Sequence, residues 1–155
     1  MASEHIYKQF DSDLEAIRAK VLEMGTLVEE QTANAVKSLL NTDIKLAEQV
    51  MKRDVQINDL EVAIDEETSL LIAKRSPAAG DLRNIMMMLK IITDLERMGD
   101  EAAKIARSTT RIFEDNRMSK PRFTEIKGMA KAVQGMIKTA LNSFARLDLS
   151  DTIDI

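Results

Sequence analysis

The chain has no cysteine and no tryptophan, one tyrosine, one histidine, two prolines and five glycines in 155 residues. Without cysteine there are no disulfides, no thiolate metal ligands and no cysteine nucleophile, and the composition fits a reducing compartment. The only histidine is His5, near the N-terminus. Serine- and cysteine-type triads are thereby excluded, and a di-iron bundle built on Glu-x-x-His pairs fits less well. Neither of the common Gly-rich phosphate loops is present. Aromatics at 3% leave the core to Leu, Ile, Val, Met and Ala, and the few Pro and Gly residues leave few chain breaks. Both features suit helix-on-helix packing. The longest apolar run, Ile85-Met86-Met87-Met88-Leu89, falls far short of the roughly 20 residues that span a bilayer. The N-terminus carries Glu4 and Asp11 and no hydrophobic segment of the signal-peptide kind. A soluble, cytoplasmic protein that is not membrane-embedded is expected. A net charge of −4 argues against non-specific nucleic-acid binding.

What is present is a series of amphipathic helical patterns and no strand pattern. The first helix is predicted from about residue 5 to 40. Phe10, Ile17 and Met24 lie on one heptad position, Leu14, Val21, Val28 and Ala35 on another, and Gln31 interrupts the row. Asn41-Thr42-Asp43 supplies a stop and a fresh N-cap. The second helix is predicted from 43 to 75 along Leu46, Val50, Ile57, Leu60, Ile64 and Leu71. Ser76-Pro77 reads as N-cap and first residue of a third helix that runs to about 114. Lys120-Pro121 opens a fourth in the same manner, marked by Ile126, Ala130, Val133, Ile137, Ala140, Phe144 and Leu147. Short connections make neighbouring helices antiparallel.

An internal repeat organises the chain. Residues 35–43 (AVKSLLNTD) match 140–148 (ALNSFARLD), and at the same offset of 105 positions Met24 matches Met129 and Val28 matches Val133. The fourth helix therefore reads as a second copy of the first. The expected fold is all-α: a long antiparallel three-helix bundle over 1–116, then, over 117–155, the first helix of an incomplete second repeat. That helix is expected either to drive dimerisation or to lie across the first bundle.

The informative chemistry is acidic. The third helix's apolar row runs Leu82, Ile85, Leu89, Ile92 and, continued at the same spacing, reaches Glu96 and Gly99, then Ala103 and Ala106. A carboxylate thus stands where the pattern asks for a core residue, and Asp100 follows it on the same face four residues later. The second helix carries the same E-x-x-x-D spacing at Glu61 and Asp65, and antiparallel packing could unite the four, with Asp59 and Asp94 nearby in sequence. Acids gathered at a helix seam repel and are costly to desolvate unless a cation compensates them. An oxygen-only cluster suits hard cations such as Mg²⁺, Mn²⁺, Ca²⁺ or iron. The plain alternative is solvated salt bridging, for instance with Lys104. Residues 43–67 are rich in acids and 104–131 in bases, which is either ordinary solvated surface or a cation site and a basic docking surface.

The residues also resemble the PhoU family of phosphate-signalling regulators. The likeness is carried by residues 73–83 (AKRSPAAGDLR), by 94–100 (DLERMGD) and by 61–66 (EVAIDE), and it extends along essentially the whole chain. It implies a fold of two tandem three-helix bundles related by pseudo-symmetry. It implies divalent or trivalent metal ions (Mg, Mn, Fe or Zn) on E/D-x-x-x-D motifs, here Glu96 and Asp100, and Glu61 and Asp65. It implies no catalysis, hence no catalytic or organic-cofactor residues. Members of the family are negative regulators of phosphate uptake and of the phosphate-starvation response. They are adaptors between the ATPase subunit of the phosphate ABC importer and the cytoplasmic region of a sensor histidine kinase. A homodimer is expected. A second complete bundle with its own acidic motif is absent from these 155 residues, so a fragment of a longer protein is expected. A metal-dependent helical-bundle enzyme and a structural helical interaction module remain open from the residues alone.

Overall fold

The computed structural model describes the backbone of residues 2–114 and 123–147 and the side chains of 8–113 and 123–147. It contains four helices: α1 (Ala2–Asn41), α2 (Ile44–Arg75), α3 (Ala79–Glu114) and α4 (Thr124–Arg146), with no strand among the described residues. The first three are 40, 32 and 36 residues long, or roughly 50–60 Å at the α-helical rise.

The chain reverses between α1 and α2 over Thr42 and Asp43. Thr42 adopts a left-handed backbone, φ 58°. Asp43 caps α2, its Oδ1 accepting a hydrogen bond from the Leu46 N–H at 3.0 Å. The turn after α2 differs from expectation. Ser76 is the left-handed C-cap of α2 (φ 47°), its N–H donating to the Ile72 carbonyl, and does not cap α3, which begins at Ala79. The left-handed backbone at Ser76 closes the last turn of α2, and Pro77 then blocks any continuation of that helix. The Lys120-Pro121 opening of the fourth helix lies outside the described residues, and α4 begins after Phe123 without a side-chain cap.

Helices α1, α2 and α3 form an up-down-up bundle. The α1–α2 register is tied by Gln31 to Val50, Arg53 to Glu30, Lys20 to Glu67 and Arg75 to Asp13. The core stripe of α1 is buried as read from the sequence: Phe10, Ile17, Val21, Met24 and Val28 meet Ile57, Ile64 and Leu71 of α2 and Ile85, Met88, Ile92 and Leu95 of α3, with Leu14 and Leu60 at the margin. Gln31 lies inside this core, with its amide nitrogen donating to the Val50 carbonyl at 2.8 Å. The end of the bundle near residue 43 narrows onto small side chains, Ala35, Ala47, Val50, Ala102 and Ala106.

The expected inward row of α3 needs correction at two places. Leu82 is 38% exposed, and Leu95, not Glu96, takes the core position. The buried positions of α3 repeat strictly as 85/88, 92/95, 99/102 and 106/109, so the second inward position lies one residue before Leu89 and Glu96 throughout. Glu96 is displaced to the edge of the seam, partly exposed.

Helix α4 lies antiparallel along α1, and its backbone approaches no other described helix. Two contacts place it. At Gly25 an added Cβ would stand 2.2 Å from Leu141 Cδ2, so the glycine admits Leu141 against the α1 backbone. Arg18 donates from Nη2 to the carbonyls of Phe144 (2.9 Å) and Ala145 (2.8 Å), with its guanidinium 5.6 Å from the Phe144 ring centre. A cation on the last carbonyls of α4 complements the negative end of the helix dipole.

Candidate metal site on the α2–α3 seam

Close approach of α2 and α3 positions the acidic residues. At Gly99 an added Cβ would stand 2.7 Å from Ile57 Cδ1 and 3.5 Å from Asp54 Oδ1. Glycine at this point sets Asp54, one turn before Ile57, beside Asp100. Antiparallel progression then sets Glu61 opposite Glu96.

The electrostatics follow that register. The Glu61 carboxyl is raised above the ordinary Glu range by partial burial first, then by the charges of Glu96 and Asp65. Asp54 is raised by burial first, then by Asp100, while Arg107 pulls it back. Asp54 Oδ1 is out of solvent and accepts no hydrogen bond. Among the described residues none of Asp54, Glu61, Asp65, Glu96 and Asp100 makes a salt bridge. Two neighbouring bases form salt bridges with other acids, Lys104 with Glu101 at 2.7 Å and Arg97 with Asp94 at 3.5 Å, though the Lys104 charge also feels Asp100.

Of the four acids read from the sequence, Glu61, Asp65 and Glu96 fall at one level of the seam. Asp100 faces Asp54, a residue the E-x-x-x-D spacing does not include. Asp54, Glu61 and Asp65 are seven and four residues apart, a single helical face, and that wider spacing was the signal for the extra member. Asp59 and Asp94 do not join them. Asp59 lines an α1–α2 groove with Glu23, Glu30 and Gln56, and Asp94 lies at the α4 side of α3. The acids line the seam as neighbouring pairs, and among the described residues no three carboxylates converge to cage an ion by themselves.

Oxygen-only pairs with an orphaned, raised carboxylate at one end fit a hard cation that retains much of its water. Mg²⁺ and Mn²⁺ bind in this manner, through one or two carboxylates. The donor set lacks the nitrogen and sulfur ligands that Zn²⁺ favours.

The chain matches a family model described as the PhoU domain over residues 21–109. It is 44% identical over 147 residues to the phosphate-specific transport system accessory protein PhoU homolog of Pseudomonas aeruginosa, covering 94% of this chain and 60% of that protein. It is 38% identical over 153 residues to the phosphate-specific transport system accessory protein PhoU of Escherichia coli, covering 99% of this chain and 63% of that protein. The crystal structure of PhoU from P. aeruginosa superposes with a TM-score of 0.89 at 42% identity, over 94% of this chain and 69% of that one. The chain thus spans about three fifths of the length of these curated relatives. The same long helices, in the same order and with the same packing, place this chain in the PhoU family.

Proposed function

We propose that the chain is the metal-binding, adaptor-type part of an accessory protein of phosphate transport, and that it restrains uptake and phosphate-starvation signalling. What supports the reading is a seam of carboxylates that make no salt bridge among the described residues, in a family whose relatives carry that accessory role in their names. The partners are the ATPase subunit of a phosphate importer and the cytoplasmic region of a sensor histidine kinase. No described helix is long and apolar enough to cross a membrane, so a membrane complex is reached by docking.

Glu61 with Glu96 would hold one cation, Asp65 adding its charge beside them, and Asp54 with Asp100 a second. The cation neutralises like charges that otherwise push α2 and α3 apart. Gly99 keeps the helices close enough for both sides to reach it, and Arg107 limits the charge left at the Asp54 end. The result is a rigid face, and the mechanism is docking, without bond making or breaking.

The test is a pull-down of the importer ATPase and the kinase's cytoplasmic region, with Mg²⁺ or Mn²⁺ and with chelator, using wild type and Glu96→Ala/Asp100→Ala. Cation-dependent capture lost in the variant supports the reading. Calorimetry showing no cation uptake removes the metal role, and capture of neither partner removes the adaptor role. Sustained phosphoester hydrolysis abolished by the same substitutions would favour the metal-dependent enzyme instead.

A further inference from the structure

In each helix of the bundle one heptad position points straight away from the core. On α3, where the buried pairs recur every seven residues, that position holds Arg83, Lys90, Arg97, Lys104 and Arg111, all of them exposed. The equivalent residues of α1 are Ser12, Ala19, Thr26, Ala33 and Leu40, and those of α2 are Lys45, Lys52, Asp59, Glu66 and Ala73. One helix carries no charge on its outermost line, one carries both signs, and α3 carries a base at every step. Solubility asks for surface charge of mixed sign, not for a single sign along one line.

The bases stand about 10 Å apart and span about 42 Å of the helix. Arg97 and Lys104 are partly balanced by Asp94 at 3.5 Å and Glu101 at 2.7 Å. Arg83, Lys90 and Arg111 make no salt bridge among the described residues. No acid occurs from residue 82 to 93, so the Arg83–Lys90 end is purely cationic. Beside it Leu82 and Met86 are 38% and 46% exposed.

We propose that this ridge is a docking surface for an anionic lipid bilayer, on which the chain lies side-on along α3. A plane touches a convex bundle along its outermost line, and on α3 that line holds only bases. An acidic helix of a protein partner would settle instead into a groove beside the ridge. Both grooves present acids, Asp94 and Glu101 on one side and Glu96 and Asp100 on the other. Lys and Arg are almost never fully buried without partners, so the ridge is not a surface for the chain's own core to cover. Leu82 and Met86 enter the headgroup layer next to Arg83, and no described helix is long and apolar enough to cross the membrane. The overall charge of −4 repels the other faces from the same surface and so sets the orientation. The proposal goes beyond the adaptor reading and does not depend on a cation in the α2–α3 seam.

The experiment is co-sedimentation of the 155-residue chain with vesicles of phosphatidylglycerol and phosphatidylcholine, in chelator and at low salt, with pure phosphatidylcholine vesicles beside it. Binding is expected on the mixed vesicles alone, and release at about 1 M salt, where the Debye length falls to about 3 Å. Arg83→Glu/Lys90→Glu should lower the partition coefficient at least about tenfold with helical circular dichroism unchanged. Lys45→Glu/Lys52→Glu makes the same change of charge on the outermost line of α2 and should lower it far less. The chain has no tryptophan, so Met86→Trp is a unique reporter. Its emission should shift to the blue on mixed vesicles, and that of Ala19→Trp should not. Absence of the wild type from mixed vesicles overturns the proposal, as does equal binding to pure phosphatidylcholine. Equal losses in the two charge-reversed pairs overturn it too, as does a blue shift at Ala19→Trp that matches the one at Met86→Trp. Retention on immobilised polyglutamate without binding to mixed vesicles also overturns it and gives the ridge to an acidic protein segment.

Discussion

Gly99 of α3 lies under the side chain of Ile57 of α2, at a distance where a methyl group in place of hydrogen would stand 2.7 Å from Ile57 Cδ1. This contact sets the spacing of the helices that carry Asp54, Glu61, Glu96 and Asp100, so packing and charge meet at one glycine.

Gly99→Ala should therefore destabilise the protein although alanine is the better helix former. The helix gains about 1 kcal/mol. Overpacking a filled interior costs about 1–3 kcal/mol, and here the obstructing atom is the tip of a flexible side chain, which points to the low end. A net loss of up to about 1 kcal/mol in urea unfolding is expected. Ile57→Val, which removes Cδ1, should recover part of it in the double variant. A Gly99→Ala protein more stable than wild type by the full helix-propensity gain would show that the contact is not tight.

Removing charge from the seam should have opposite effects with and without cation. The carboxyls of Glu61 and Asp54 are raised in the folded protein, so their contribution to stability is complete below the ordinary values of 4.5 and 3.8 and is lost as pH rises through the raised values. Glu61→Gln, uncharged at every pH, should be the more stable protein at pH 7 in chelator, by less than about 1 kcal/mol because the site is largely solvated. The difference should vanish on acidification below the ordinary Glu value. Saturating Mg²⁺ or Mn²⁺ should reverse the order at neutral pH, because a ligand of the folded state stabilises whichever protein binds it better. Thermal melts at several pH values, with and without cation, read both outcomes.

Gln31 is a polar residue in the core with one satisfied end. Its amide nitrogen donates to Val50 and its Oε1 is buried without a partner. Gln31→Leu deletes the unsatisfied oxygen at similar volume, and its stability should stay within about 1 kcal/mol of wild type or exceed it. Gln31→Ala should cost about 2–4 kcal/mol through the cavity it leaves. Equal losses in the two variants would mean that the amide, not its volume, is what the core requires.

Arg18 fastens α4. Arg18→Ala removes two hydrogen bonds from a cation to the Phe144 and Ala145 carbonyls and the contact with the Phe144 ring. A loss of about 1–3 kcal/mol is expected, confined to α4. Hydrogen exchange should accelerate over residues 124–146, with little change in α2 and α3. Uniform acceleration across all four helices would show instead that α4 and the bundle unfold as one unit.

The bundle was legible because its rows obey one period. Phe10, Ile17, Val21, Met24 and Val28 are buried where the heptads put them, and the Asn41-Thr42-Asp43 stop became a turn with Asp43 as the cap its side chain favours. The same reasoning failed where the second position of a correct period was set one residue late. Leu95 replaced Glu96 inside, and Leu82 and Val133 stayed at the surface. The site was half visible. A carboxylate spacing of four pointed to Glu61, Asp65, Glu96 and Asp100. Asp54 shares the helical face of Glu61 and Asp65, but its pairing with Asp100 on another helix is made only by the approach at Gly99.

Composition and periodicity by themselves determined that this chain forms long helices with an aliphatic core and acids along one edge, because backbone propensity and side-chain period act between residues a few positions apart. Which acid faces which, how closely α2 approaches α3, and which half of α4's apolar arc stays bare were decided only in the folded molecule. Those distances are set by the meeting of surfaces far apart in the chain, where one absent methyl at Gly25 or Gly99 outweighs any local pattern.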